Sequence, residues 1–223
     1  GSGSASRPRN KGAQLATTPY ITYLDPDNEA INDGFAKLYK HINASDVDAV
    51  IGNIIKADSS AREVNYFKSI VEKFPGRTMF SNKETADILI ETSFKSQSIQ
   101  GVMVKKSVIM ENQLSMVEGV IGEDTLFFWQ IITHAQQFAV INEDIHGYYA
   151  GVEGSSVNNI TSKTFEKYRT IEEHKLKFLM KNDLLKAYMH LRFRYYFVNW
   201  YMKKFSMVKN EDKNKALELI LEI

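Results

Sequence analysis

The chain has 223 residues, of which 43% are hydrophobic and 12% aromatic, enough for one sizeable core with at most a small appendage. Its formal net charge of +1 gives no global argument for a polyanion partner. The absence of cysteine excludes disulfides, zinc–thiolate sites and a cysteine nucleophile within these residues and fits a reducing cytoplasm, and there is neither a membrane-length apolar run nor a signal-peptide pattern.

The opening Gly1-Ser2-Gly3-Ser4-Ala5 reads either as an expression scar or as a native flexible loop. Ser6 followed by Pro8 predicts a helix start, which Leu15 and Ala16 continue until Thr17-Thr18-Pro19 ends it. A strand over 20–24 follows, and it runs into Asp25-Pro26-Asp27-Asn28. Strand side chains alternate, so Asp25 and Asp27 are expected to leave the sheet on one side, with Pro26 and Asn28 making the turn. Two hard oxygen donors at the end of a strand suit a magnesium or manganese ion that bridges phosphates. Open α/β sheets bind ligands at that end. Taken alone, the same four residues also read as an ordinary turn.

Ile31, Phe35, Leu38 and Ile42 recur at helical spacing, and 48–55 is a second strand, apolar enough to be covered on both faces. The segment 60–95 reads as irregular helix broken at Pro75-Gly76, and 101–104 as a short strand. Gly122 precedes a helix from Glu123 to about His134, 137–150 forms another strand, and Gly151 to Asn159 is a Gly/Ser/Asn loop. Beyond Thr161 the pattern is helical over roughly 164–180, 183–206 and 211–222. Charge divides along the chain: residues 161–223 carry 14 Lys and Arg against 8 Asp and Glu, a net of +6, which leaves −5 for residues 1–160.

Three stretches, in order, resemble a family 2 glycosyltransferase of the GT-A fold. Ser6-Arg7-Pro8-Arg9-Asn10-Lys11-Gly12 looks like the family's A-R-N-x-G helix, Asp25-Pro26-Asp27 like its D-x-D motif, and Gly122-Glu123-Asp124-Thr125 like its E-D motif. The resemblance covers residues 5 to about 158. It implies an α/β fold, a Rossmann-like mixed sheet flanked by helices, over 1–160, followed by an all-helical C-terminal extension over 161–223. It implies a metal-dependent, inverting hexosyl- or N-acetylhexosaminyltransferase of surface polysaccharide or glycoconjugate synthesis. The expected donor is a nucleotide-sugar, a UDP-sugar above all, and the expected acceptor a glycan, lipid-linked or protein acceptor.

The implied roles fall on named residues. Asp27 would hold Mn2+ or Mg2+, with His146 a further candidate ligand against the alternative of a structural strand histidine. Arg9, Asn10 and Asp25 would meet the donor, Asp25 by way of the ribose or a metal-bound water. Asp124 would be the base and Glu123 an acceptor contact. Both acids also suit the first turn of any helix, where they favour the dipole and cap N–H groups. The Q-x-x-R-W signature of processive synthases is missing after Asp124, which points to one sugar per encounter. Ala150 and Glu153 stand where family members often carry an Arg or His against the pyrophosphate. The resemblance begins at the family's third motif, so the expectation is a piece of a longer enzyme whose first sheet strands are elsewhere, leaving a long apolar sheet edge unpaired.

Two other classes stay open: a non-catalytic nucleotide-sugar or glycan-binding domain, and an interaction module. The second rests on the basic aromatic stretch Lys186 to Phe205, for which packing in the core or in a homodimer, peripheral contact at the inner membrane face, and nucleic-acid stacking are the alternatives, with no nucleic acid expected. Its aromatics crowd nearly every side, so it is expected to be covered on more than one face.

Overall fold

The computed structural model describes residues 4–57, 62–149 and 160–223, so the 150–159 loop with Ala150 and Glu153 lies outside the described residues. The chain forms two compact units. One comprises Pro8–Met116 and Asp124–Val152, and the other Gly1–Arg7, Val117–Glu123 and Glu153–Ile223.

The first unit holds the sheet. Helix α1 (Ser6–Leu15) leads into β1 (Tyr20–Thr22), β2 (Glu29–Ala30), α2 (Gly34–Ser45) and β3 (Ala49–Ala57). Then come β4 (Arg62–Val64), α3 (Tyr66–Val71), β5 (Met79–Ser81), α4 (Thr85–Glu91), β6 (Val102–Lys105), α5 (Lys106–Glu111), α6 (Glu123–His134) and β7 (Gln137–Tyr149). The strand order is β1-β6-β3-β7-β2, with β4 paired to β3 and β5 to β7. Among the described residues only β3 and β7 run parallel, from Ala49 opposite Phe138 to Ala57 opposite Tyr149. Every other ladder is antiparallel, so the sheet is mixed and the fold α/β, as expected.

The apolar run of β3 is buried from Ala49 to Ile51, as a central strand requires. Leu38 and Ile42 of α2 pack on one cluster with Val50, Met103, Ala139, Ile141 and Ile145. In α6, Phe127, Phe128, Trp129, Ile131 and Ile132 are all buried, with Tyr66 edge-on to Phe128 at 5.2 Å and Phe94 edge-on to Trp129 at 5.8 Å. Each such side chain removed from water contributes about 1.5–3 kcal/mol before the entropy of ordering it.

Several expectations change. The first strand ends at Thr22, so Asp25 and Asp27 lie beyond the ladder and alternation does not orient them. Asn28 N–H instead donates to the Asp25 carbonyl at 3.0 Å, closing a turn that Pro26 suits. The segment 60–95 contains β4 and β5 besides its helices. Three-residue strands are too short to show a period, and their ladders come from β3, just ahead of β4, and from β7, far from β5 in sequence. Helix α5, with Val108 and Ile109 buried, stands where no element is expected. The open edge at β1 is only three residues long and its Ile21 is buried, unlike the long apolar edge anticipated.

The second unit is helical, with α7 (Ser162–Lys181), a helix over 185–205 here called α8, and α9 (Lys213–Leu221). Helix α8 passes through π-helical turns at Met189–Phe193 and Phe197–Met202. Inside the unit Glu172 and Lys175, both buried, pair at 2.7 Å, and the Tyr201 hydroxyl donates to Glu172 Oε1 at 2.6 Å. Tyr201 and Tyr188 are buried and Tyr196, Phe197 and Trp200 partly so, but Leu191, Tyr195, Val198 and Met202 stay 37%, 64%, 56% and 40% exposed. Steps of four, three and four put those four on one stripe, so the helix is covered on one side rather than on more than one face.

At the start of α2, Asn32 and Asp33 both take positive φ, which brings Gly34 against β7. A Cβ there would lie 2.2 Å from the Ile145 carbonyl oxygen and 2.6 Å from its Cα. Those are backbone atoms and cannot step aside. Gly34→Ala is therefore expected to destabilise the fold by about 2 kcal/mol or more, read as a lower urea midpoint at unchanged slope. An unchanged midpoint would refute the close approach.

Candidate active site

The site lies within the sheet-bearing unit and is organised by Arg9, three residues into α1. Its Nη1 donates to Asp124 Oδ1 at 2.7 Å, and its Nη2 to Asp25 Oδ1 and Oδ2 at 2.7 and 2.8 Å. The Arg9 side chain is only 11% exposed and each carboxylate 28%. A guanidinium holds two carboxylates in one plane, which a lysine ammonium would do only as a point charge. Two of the three motif stretches are thus brought to one cation carried by the third.

The acidic turn has a second support. Gln100 is buried, accepts from Asp25 N–H at 2.9 Å and from the Asn28 amide at 3.0 Å, and donates to Asp25 Oδ2 at 2.9 Å. Asp25 is therefore held on both carboxylate oxygens by Arg9 and Gln100. Asp27 is exposed and has no partner among the described residues. The Asn28 Oδ1 accepts from Tyr149 N–H at 3.2 Å, tying the turn to the end of β7.

Asp124, second residue of α6, accepts from Arg9 on Oδ1 and from the Ser98 hydroxyl on Oδ2 at 3.3 Å. Burial holds its carboxyl above the usual range, while the Arg9 guanidinium and the Ser98 hydroxyl pull the other way. Tyr23 lies beside this group, its ring edge-on to Phe127 at 6.3 Å. Burial pushes its phenol up to about 12 against the pull of Arg9. The result is a carboxylate more basic than an exposed aspartate in a pocket of fixed donors, which is the form a general base takes.

The remaining predicted residues are arranged differently from one another. Both ends of the Asn10 amide bond the Met116 backbone, donating to its carbonyl and accepting from its N–H at 2.9 Å each, which pins α1 to the segment ahead of α6. Glu123 is buried at the first position of α6. His146, opposite Ala30 in the ladder, is fully buried, and neither ring nitrogen has a hydrogen-bond partner among the described residues. Burial lowers its pKa to about 4, against a smaller opposing pull from Asp25. Neutral imidazole is the form that ligates metal. No cluster of three or more His, Asp or Glu that could cage a metal occurs among the described residues. An open Asp27 carboxylate with few neighbours does fit a magnesium- or manganese-type ion that takes most of its ligands from water and phosphate.

Sequence reasoning missed Gln97, Ser98 and Gln100. They sit just ahead of β6, where the only signal is polar residues interleaved with one buried isoleucine, Ile99.

Comparison with known proteins fits this geometry. Residues 4–105 match Glycosyl transferase family 2. Over 189 residues, 83% of this chain and 54% of the relative, the chain is 26% identical to the poly(ribitol-phosphate) beta-N-acetylglucosaminyltransferase TarP of Staphylococcus aureus (strain N315). The crystal structure of S. aureus TarS 1-349 in complex with UDP-GlcNAc superposes with a TM-score of 0.65 at 15% identity, covering 97% of this chain and 60% of that one. The complex of the same protein with UDP gives a TM-score of 0.63 at 16% identity, covering 99% and 60%. At those identities the likeness to TarS establishes the fold. The chain spans about half the length of the curated relative, 54%. The match to glycosyl transferase family 2 lies over residues 4–105, and the mixed sheet with flanking helices is the GT-A fold.

Proposed function

We propose that this chain is the catalytic part of a metal-dependent, inverting N-acetylhexosaminyltransferase. Its donor is a UDP-sugar and its acceptor a hydroxyl of a surface polymer of the poly(ribitol-phosphate) kind, with transferase residues in 1–160 and a helical extension in 161–223. The observation that carries the reading is the Arg9 bridge, which holds an acidic turn and a basic carboxylate together while leaving Asp27 open. The names of TarP and of the TarS complexes support the donor and acceptor classes.

In this reading the acceptor oxygen attacks the sugar's anomeric carbon as the bond to the diphosphate oxygen breaks, and Asp124 takes the acceptor's proton. A bound divalent cation would supply Lewis-acid stabilisation of the charge that grows on the leaving group. Asp27 would hold that cation, with His146 as the second candidate. Asp25, held by Arg9 and Gln100, keeps the turn in place. Glu123 would orient the acceptor. Asp124→Asn is expected to keep UDP binding and lower turnover by about 10²–10⁴. Asp27→Ala is expected to weaken manganese-dependent UDP binding by tenfold or more. If Asp124→Asn protein transfers as the parent does, the enzyme reading gives way to a binding domain.

A specific observation favours peripheral work at an anionic surface. Residues 184–210 contain six Lys and Arg and no Asp or Glu, and they carry the exposed stripe of Leu191, Tyr195, Val198 and Met202. The cations of two such stretches would repel each other, whereas anionic headgroups complement them. No described helix is long and apolar enough to cross a membrane. The protein is expected to sediment with vesicles containing anionic lipid and not with neutral ones. Tyr195→Glu with Val198→Glu should abolish this at unchanged Tm, and salt-insensitive binding or a dimer of the parent in solution would overturn it.

A further inference from the structure

The turn 97–100 touches both carboxylates of the site, and it is anchored from behind. The Gln97 side chain, buried, donates to the Gly52 carbonyl of β3 at 2.8 Å, while its Oε1 accepts from Ser98 N–H at 3.0 Å. Ser98 starts a short 3-10 turn, Ile99–Gly101, and its hydroxyl reaches Asp124. Two residues on, the Gln100 side chain makes three hydrogen bonds, all to the acidic turn, with Asp25 N–H, the Asn28 amide and Asp25 Oδ2 as partners, while its backbone N–H donates to the Ser98 hydroxyl at 3.5 Å. Just beyond, a Cβ on Gly101 would sit 3.2 Å from the Gly52 carbonyl oxygen, so the turn is seated closely on the central strand.

We infer that Ser98 and Gln100 are positioning residues of the transfer site, Gln100 setting the metal–diphosphate turn and Ser98 setting the base. The inference rests on the nucleotide-sugar reading above, and it divides the work of one turn between two steps of the reaction. Gln100 acts before chemistry, because among the described residues the turn that carries Asp27 has no other buried side-chain amide bonded to it. Its Oε1 fixes the turn's backbone at Asp25 N–H, and its Nε2 helps fix the Asp25 carboxylate that Arg9 also grips. Loss of these bonds lets Asp27 wander and reaches the donor through its metal. Ser98 acts during chemistry. A hydroxyl that donates to Oδ2 favours the ionised form of Asp124 and leaves the carboxylate oriented from both oxygens.

The two roles predict opposite patterns, which a purely structural part would not produce. Gln100→Leu is expected to weaken UDP binding in manganese about tenfold with the base's pH profile unmoved, one hydrogen-bond equivalent being worth roughly that factor. Gln100→Glu, of the same shape, removes the donor to Asp25 and sets a second carboxylate against it, so it should weaken binding at least as much. Ser98→Ala is expected to bind UDP with manganese as the parent does. Its turnover should fall, and the acid limb of kcat should move to higher pH by about half a unit or more, because the ionised base loses a donor. Ser98→Thr, which keeps the hydroxyl, should restore the limb. Isothermal titration with UDP and manganese, and turnover of a UDP-N-acetylhexosamine from pH 5 to 9, read both effects. Parent-like binding in both Gln100 variants, or a parent-like acid limb in Ser98→Ala, overturns the inference. So does an equal loss of Tm, binding and turnover in all variants. Asp27→Ala and Asp124→Asn run alongside: if they too behave as the parent, it is the nucleotide-sugar reading that has failed.

Discussion

The guanidinium of Arg9 is the interaction around which the sheet-bearing unit is arranged. It joins a carboxylate 16 residues downstream to another 115 residues downstream, at 2.7 Å each, in a setting where it is almost wholly shielded from water. Two aspartates that close would repel each other in a half-dry pocket, and each would be costly to bury alone. One planar cation with parallel donors satisfies both and fixes their mutual orientation. The rest of the local structure serves that contact. The Asn10–Met116 backbone pair holds α1 in register, the Asp25–Asn28 turn presents one acid, and the first turn of α6 presents the other.

That arrangement separates the two acids of the D-x-D-like stretch by environment rather than by chemistry. Asp25 is gripped by Arg9 and Gln100, whereas Asp27, two residues on, faces solvent without a partner among the described residues. A site that must hold a mobile metal–diphosphate needs one ligand free and its neighbour rigid. Asp124 shows the complementary solution. Burial makes it more basic, while Arg9 and Ser98 favour its ionised form and aim it. His146 is a different case, an imidazole kept neutral by burial and without a hydrogen-bond partner among the described residues, next to the acidic turn through the β2–β7 ladder.

Much of this was legible in the residues. The helix over Glu123–His134 agrees at both ends, because its apolar residues repeat at helical spacing and Gly122 breaks the chain ahead of it. The long strands β3 and β7 were legible for a related reason, since central strands buried on both faces read as apolar runs. Short elements were not. β4 and β5 have three residues each, and nothing local distinguishes them until β3 and β7 supply hydrogen-bond partners. The side of α8 that stays open was hidden as well, because an aromatic residue looks the same in sequence whether it stacks inward, as Tyr196 does on Trp200, or points out, as Tyr195 does.

The sequence by itself determined the chemistry available: which acids exist, that a basic residue stands in the first helix, and that an Asp-Pro-Asp-Asn stretch makes a turn. Those follow from residue type and short-range spacing, which any conformation of the chain preserves. Tertiary structure alone decided how that chemistry is distributed. It made Arg9 a bridge between two acids, took Asp25 partly out of solvent while leaving Asp27 exposed, and brought the turn 97–100, silent in the sequence, against both carboxylates. The physical reason is distance along the chain. Hydrogen bonds that span 75 to 115 residues exist only once the sheet has closed, and no local pattern encodes them.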